Sequence, residues 1–166
     1  MIIGQKELEA RLDKLSKADL RKGVAKATSL VQSHAKAGCP VHDGELRESI
    51  YISIDEDEKE SVRGTCYTNK KHGPFVEFGT GPKGQANHAG VSPDVAVAYS
   101  QAPWWIHESQ IDKATAEKYH FLAIETKDGI FYQCRGQAAQ PYLYPALKNN
   151  EDEIVNIIAD AVRRQL

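Results

Sequence analysis

The sequence predicts an α+β domain in which N-terminal and C-terminal helices pack on a small antiparallel sheet. Three observations lead to this prediction. Each end of the chain carries apolar residues at helical spacing, and alternating runs typical of strands lie between the two ends. An Asp128-Gly129 pair separates two of those runs, as in a β-hairpin. A length of 166 residues fits one domain over 1–166, into which we place an insertion at 82–119.

Two helices are predicted at the N-terminus. Leu8, Leu12 and Leu15 recur at steps of four and three, and 16–19 has the composition of a helix cap. A second helix is predicted to end at 38–40 (Gly-Cys-Pro). Its apolar stripe consists of Leu20, Val24, Ala27 and Val31.

Strand patterns occupy the middle of the chain. Residues 50–54 alternate between isoleucine and polar or aromatic side chains, and 61–68 is the expected antiparallel partner. The acidic run 55–60 between them is expected to be a solvated turn, because it lacks the ligand alternation and glycine of a calcium loop. A second hairpin is predicted from 121–126 and 130–135.

The C-terminal end is predicted as an extended entry followed by a helix. The entry, 140–145, contains Pro141 and Pro145. The helix carries an apolar residue every four positions, namely Ile154, Ile158, Val162 and Leu166.

The insertion 82–119 shows no clean period and is predicted to be irregular. Trp104, Trp105 and Ile106 are expected to hold it in place. The preceding stretch 79–84 is rich in glycine and is predicted to be a flexible loop.

Composition excludes several classes of protein. The net charge is −2, which gives no strong attraction for nucleic acid. No apolar run approaches the roughly 20 residues of a membrane helix, and the N-terminus lacks a signal-peptide pattern, so we expect a cytosolic protein without a membrane partner. Cys39, Cys66 and Cys134 are odd in number and widely spaced, as is typical of reduced thiols.

Motifs for chemistry are weak, and no catalytic residue, cofactor or metal is predicted. Residues 79–84 match the three-glycine dinucleotide fingerprint, but Pro82 interrupts it and no βαβ unit follows. Cys39 and His42 are three residues apart without the further ligands of a zinc site. Three more histidines are scattered through the second half of the chain: His88, His107 and His120.

Three segments in order resemble one family of phage proteins. They are 35–50 (AKAGCPVHDGELRESI), 75–81 (FVEFGTG) and 136–147 (GQAAQPYLYPAL). They are similar to motifs of bacteriophage tail-component proteins of the Hong Kong-type "gene product ten" kind, which act in head–tail joining or tail completion. The resemblance extends in order over nearly the whole chain.

The resemblance implies a non-enzymatic virion protein that is made and assembled in the bacterial host cytoplasm. It implies a homo-oligomeric ring, expected to have six subunits, with the phage head connector and the tail-tube or tail-terminator proteins as partners. DNA would pass through the ring without specific recognition. The alternatives are a small metal- or cysteine-dependent hydrolase and a DNA-binding module.

Within the three segments, particular residues are candidates for scaffold or interface positions. Gly79 and Gly81 are expected to let the backbone turn sharply. Glu77 is expected either to form a structural ion pair or to contact a neighbouring subunit. The full candidate set is Pro40, Gly44, Leu46, Phe75, Glu77, Phe78, Gly79, Thr80, Gly81, Trp104, Trp105, Pro141 and Pro145.

Overall fold

The structure is a computed structural model that describes residues 6–10, 20–56 and 61–165. Within these ranges the protein is α+β, as the sequence predicts. The predicted cap at 16–19 and most of the acidic turn lie outside the described residues. So do Leu12, Leu15 and Leu166.

Residues 6–10 are helical, and the remaining elements follow in chain order. The helices are α1 (Arg21–Gly38), α2 (Glu45–Glu48), α3 (Gly73–Phe78), α4 (Gly81–Ala86), α5 (Lys113–Lys118), α6 (Leu143–Lys148) and α7 (Glu151–Arg163). The strands are β1 (Ile50–Glu56), β2 (Val62–Thr68), β3 (Trp104–His107), β4 (Leu122–Thr126) and β5 (Gly129–Cys134).

The chain divides into two compact units. The first takes in the chain up to Lys70 together with the part from Tyr142 onward, and the second is Lys71–Pro141. The prediction of one domain over 1–166 with an insertion at 82–119 stays a prediction. The second unit is wider than that insertion at both ends.

The first unit is built on α1 and the β1–β2 hairpin. Helix α1 ends at Gly38, as the glycine–proline stop predicts, and buries Ala27, Val31 and Ala35. Strands β1 and β2 pair antiparallel, with Ile50 opposite Thr68. Ile50 is fully buried, so the alternation in 50–54 correctly indicated the inward face of the strand.

Helices α6 and α7 complete the first unit. The predicted extended entry is wrong over its second half, because Leu143–Lys148 is a helix that contains Pro145. Pro145 is the third residue of α6, where backbone N–H groups lack helical partners, so proline removes no helical hydrogen bond. The final helix forms as predicted.

The second unit contains a three-stranded antiparallel sheet in the order β3-β5-β4. The Asp128-Gly129 hairpin between β4 and β5 is confirmed, with a φ of +119° at Gly129. Ala116 of α5 and Tyr132 of β5 are buried and line one cavity, so α5 covers one face of this sheet.

The expectation that 82–119 is irregular is wrong in part. This segment contains most of α4, the strand β3, a 3₁₀ turn at Glu108–Gln110 and the helix α5. Strand β3 pairs with β5, so that Trp105 lies opposite Gln133. The partner strand is distant in sequence and β3 is four residues long, so no local period could indicate it.

Among the described helices, none combines the length and the apolar character that crossing a membrane would require.

Candidate interface

The segment 75–81 forms the end of a short helix and a sharp turn. Helix α3 begins with Pro74 in its first turn, where proline is favoured, and ends at Phe78. Gly79 and Gly81 then have φ values of +74° and +59°, as expected from their predicted role in turning the chain.

This turn is hydrogen-bonded to the start of the third sequence motif. The Thr80 amide donates to the Gln137 carbonyl at 2.9 Å, and the Gln137 amide donates to the Thr80 carbonyl at 3.2 Å. The Gln140 amide donates to the Val76 carbonyl at 2.8 Å, and the Gln137 side-chain amide donates to the Phe75 carbonyl at 2.7 Å. Two motifs that are some sixty residues apart in sequence therefore form one backbone-paired frame.

Gly136 allows the two segments to approach this closely. A Cβ atom at Gly136 would lie 1.9 Å from the Thr80 carbonyl oxygen and 2.5 Å from the Thr80 carbonyl carbon. Its φ of +79° also disfavours any other residue. Gly136 lies within the third sequence motif, but its sequence neighbours alone did not indicate this close contact.

The prediction of a flexible loop at 79–84 is wrong, because Gly81–Ala86 is the helix α4. Pro82 lies in the first turn of α4, where it is compatible with a helix and does not interrupt it. The Lys83 amide donates to the Arg135 carbonyl at 3.1 Å, which ties α4 to the same frame. The glycines of the apparent dinucleotide fingerprint thus serve close backbone packing.

An aromatic groove opens beside the frame. It has a volume of about 340 Å³ and is lined by Phe75, Phe78, Tyr99 and Trp104 together with the turn at 79–81. The Tyr99 hydroxyl donates to the Phe78 carbonyl at 2.7 Å, which fixes one wall. Phe75 is 56% exposed and Trp104 is 36% exposed, so large apolar surfaces face solvent here.

The structure therefore gathers six of the candidate residues at one groove. These six are Phe75, Phe78, Gly79, Thr80, Gly81 and Trp104. Trp105 is not among them, because side chains alternate along β3; it lies in register with Gln133 of β5 and Leu122 of β4. Glu77 is buried at 4% exposure, which favours the structural role over an inter-subunit contact.

The remaining candidates lie elsewhere. In the first unit, Leu46 belongs to the core at 6% exposure, and Gly44 turns the chain with a φ of +89° before α2. Pro40 follows the end of α1, and Pro145 lies in α6. Pro141 is the last residue of the second unit.

The cysteine and histidine residues considered for catalysis or metal binding do not form one site. Cys39 is buried whereas His42 is exposed. The His88 ring bonds the Gln85 carbonyl at 2.6 Å, and His107 accepts the Ser109 amide at Nδ1 (3.1 Å), capping the 3₁₀ turn. Within residues 6–10, 20–56 and 61–165, no group of three His, Cys, Asp or Glu side chains is arranged to hold a metal ion.

A second groove, in the first unit, was not found from the sequence. Its volume is about 570 Å³, and its walls come from α1, β2, α6 and α7. Apolar side chains dominate the lining, among them Val24, Val31, Val62, Leu147 and Ile158. Cys66 also lines it, and burial raises the pKa of this thiol while the Lys36 ammonium partly offsets the rise.

Comparison with known proteins supports the resemblance drawn from the motifs. Residues 6–79 match the family model described as "Bacteriophage HK97-gp10, putative tail-component". This part of the chain is therefore similar to phage tail components of that family. The match covers the first motif and most of the second, whereas the third motif lies beyond it and is hydrogen-bonded to the second. No curated protein and no solved structure matches the chain.

Proposed function

We propose that this protein is a phage tail component, a non-enzymatic virion protein that acts in head–tail joining or tail completion. It would work by assembling as a ring at the phage neck, after synthesis in the bacterial host cytoplasm. The match of residues 6–79 to a tail-component family supports the structural role. The neck position and the ring follow from the motif resemblance.

The observation that carries the proposal is the aromatic groove on its backbone-paired frame. Exposed aromatic side chains held on a fixed support are typical of protein–protein interfaces. Phe75 presents more than half of its surface to solvent, while the backbone beneath it is hydrogen-bonded to the third motif. Such a surface is suited to contact another protein rather than to transform a substrate.

In a ring, one surface patch of each copy contacts a different patch of the next copy, so a closed ring leaves neither patch free. We propose six copies, in keeping with the resemblance, with the head connector on one side and the tail-tube or tail-terminator protein on the other. The net charge of −2 suits a ring through which DNA passes without specific binding.

Substitution at the groove tests this proposal. Phe75→Ser removes an exposed ring from the groove, and we expect the variant to fold normally but to yield few joined particles when it replaces the wild-type protein in an induced lysogen. Tyr119→Ser is the matched control, since Tyr119 is 51% exposed in the same unit and does not line the groove. Equal yields of infectious particles from both variants would contradict a role for the groove.

A further inference from the structure

We infer that the groove of the first unit receives an extended peptide strand from another protein of the phage particle, and that this strand adds to the open edge of β2. The geometry and the chemistry of the groove are features of this chain alone. Only the source of the strand, a neighbouring virion protein, rests on the proposed function. The strand that fits has apolar side chains at alternate positions and an acidic residue near one end.

The groove lies between β2 on one side and the helices α6 and α7 on the other, with α1 as its floor. Helix α1 is packed closely against both sides. A Cβ atom at Gly64 of β2 would lie 1.9 Å from Thr28 Oγ1 of α1. A Cβ atom at Gly23 of α1 would lie 2.9 Å from the Ala161 Cβ of α7. Because successive residues of a helix are about 100° apart, Ala27 points between these two contacts and forms part of the floor.

Strand β2 presents its backbone edge to this groove. Val62, Arg63 and Gly64 line the groove in succession, whereas the side chains of a strand point alternately to opposite faces. Consecutive residues therefore meet the groove through the edge of the strand. Among the described residues, only β1 pairs with β2. The opposite edge carries backbone N–H and C=O groups that an added strand would pair.

The facing wall is apolar and incompletely covered. Helix α7 is amphipathic, yet none of its residues is buried, and Ile154 and Ile158 in the groove are half-buried. Leu147 of α6, on the same groove, is 50% exposed. Packed helices lie about 8–10 Å apart and paired strands about 4.8 Å apart, so two helices span about four strands, whereas this sheet has two. A third strand beside β2 would cover the apolar side chains of α6 and α7.

The charge in the groove selects the kind of strand. Arg63 is the only charged side chain among the described residues that line the groove. Strand β1 shows which pattern pairs with β2, because its Ile52 and Ile54 are followed by Asp55, which lies opposite Arg63 in register. Opposite charges on paired strands attract each other, and alternate apolar residues match the rest of the lining. A strand with this pattern is therefore complementary to the open edge as well.

A fluorescently labelled synthetic peptide with the sequence of β1, Ile50–Glu56, is the probe, and fluorescence anisotropy measures its binding to the full chain. We expect saturable binding that Leu147→Glu weakens by about tenfold or more, because the new carboxylate would lie in the apolar wall beside the strand. Val155→Glu is the matched control and should leave binding unchanged. Val155 is 63% exposed on α7 and does not line the groove.

Two N-methylated versions of the peptide distinguish strand addition from simple apolar adhesion. Methyl groups on the backbone nitrogens of the three isoleucines remove N–H donors from one edge of the peptide. Methyl groups on the three residues that follow them, Tyr51, Ser53 and Asp55, remove N–H donors from the other edge. Only one edge of an added strand faces β2. One version should therefore bind like the parent peptide, and the other should bind about tenfold more weakly or worse.

Four results would overturn the inference. One is the absence of saturable binding to the full chain, which would mean that the groove is closed or filled by another part of the chain. The second is an equal loss of binding in Leu147→Glu and Val155→Glu, and the third is equal binding of the two methylated peptides. The fourth is self-association of the wild-type chain that Leu147→Glu abolishes, which would assign the groove to a second copy.

The proposed function is decided separately, by the particle yields of Phe75→Ser and Tyr119→Ser. Failure of the peptide experiments, with few joined particles from Phe75→Ser, would remove the strand site and leave the proposed function standing. Normal yields from Phe75→Ser, with peptide binding as expected, would remove the proposed role of the aromatic groove and leave the strand site standing.

Discussion

Gly136→Ala is expected to be far more destabilising than an ordinary glycine substitution in a turn. The new methyl group would lie 1.9 Å from the Thr80 carbonyl oxygen, which is backbone and cannot rotate away. To relieve this contact, the segments around Thr80 and Gln137 must separate. The hydrogen bonds that join them, at 2.9 Å and 3.2 Å, would then be lost or weakened.

The magnitude follows from two contributions. Placing an alanine at a φ of +79° costs about 1–2 kcal/mol. Loss of two or three hydrogen bonds at about 0.5–1.5 kcal/mol each adds a similar or larger amount. We therefore expect Gly136→Ala to lower the free energy of unfolding of the second unit by about 3–5 kcal/mol.

Gly90→Ala is the matched control. Gly90 has the same φ of +79°, but a Cβ atom there would meet only the Pro141 ring, with Cγ at 3.1 Å. Its expected cost is therefore about 1–2 kcal/mol, from the backbone conformation alone.

Urea denaturation followed by tryptophan fluorescence measures both variants. The chain has two tryptophans, Trp104 and Trp105, and both lie in the second unit, so the signal reports on that unit. If the free energies of unfolding of Gly136→Ala and Gly90→Ala differ by less than about 0.5 kcal/mol, the close contact of Gly136 with Thr80 does not stabilise the frame as argued.

Two further predictions concern the first unit. Gly64→Ala should destabilise it by about 1–3 kcal/mol through overpacking against Thr28. Thr28→Ala in the same chain should relieve part of that loss, whereas Gly38→Ala, with open space around it, should be neutral or slightly stabilising. Circular dichroism during urea denaturation measures the stability of each variant. A Gly64→Ala variant as stable as the wild type would contradict the close packing of Gly64 against Thr28. Because the Cys66 pKa is raised in the folded state, its thiol should stay unreactive toward a disulfide reagent up to a higher pH than a free cysteine. The contribution of the neutral Cys66 thiol to the free energy of unfolding is present below the ordinary cysteine pKa and is lost as pH rises through the raised pKa. A midpoint of unfolding that does not change across that alkaline range would contradict this contribution.

Local patterns in the sequence were sufficient for the longer helices α1 and α7 and for the two hairpins β1–β2 and β4–β5. The isoleucine alternation from Ile50 indicated β1, and Asp128-Gly129 indicated the hairpin of β4 and β5, because each signal depends on neighbouring residues alone. The stop at Gly38 was likewise correct. The periodic stripe at the C-terminus identified α7.

Short elements and long-range contacts could not be predicted in this way. Helix α4 has six residues and shows no apolar period, and its proline suggested a break although it occupies the first turn. Strand β3 depends on β5 for its pairing, and the requirement for glycine at Gly136 depends on Thr80. The groove of the first unit is assembled from four elements that are separated in sequence, so no single segment carries its signal.

The positions of the candidate interface residues were likewise predictable where the signal was local and not where it depended on distant contacts. Gly79 and Gly81 were correctly expected to turn the chain, and the structure brings Trp104 beside them. The two neighbouring tryptophans were expected to act together, but strand alternation separates their side chains. Burial of Glu77 was not evident from its sequence neighbours, because a charged residue between apolar ones is compatible with either an exposed or a paired buried position.

Electron microscopy of particles from an induced lysogen that lacks this gene shows whether the protein is needed to join heads to tails. We expect DNA-filled heads beside separate tails, with joining restored by the wild-type gene supplied in trans. Normal joined and infectious particles from the deletion would contradict the claim that this protein acts in head–tail joining or tail completion.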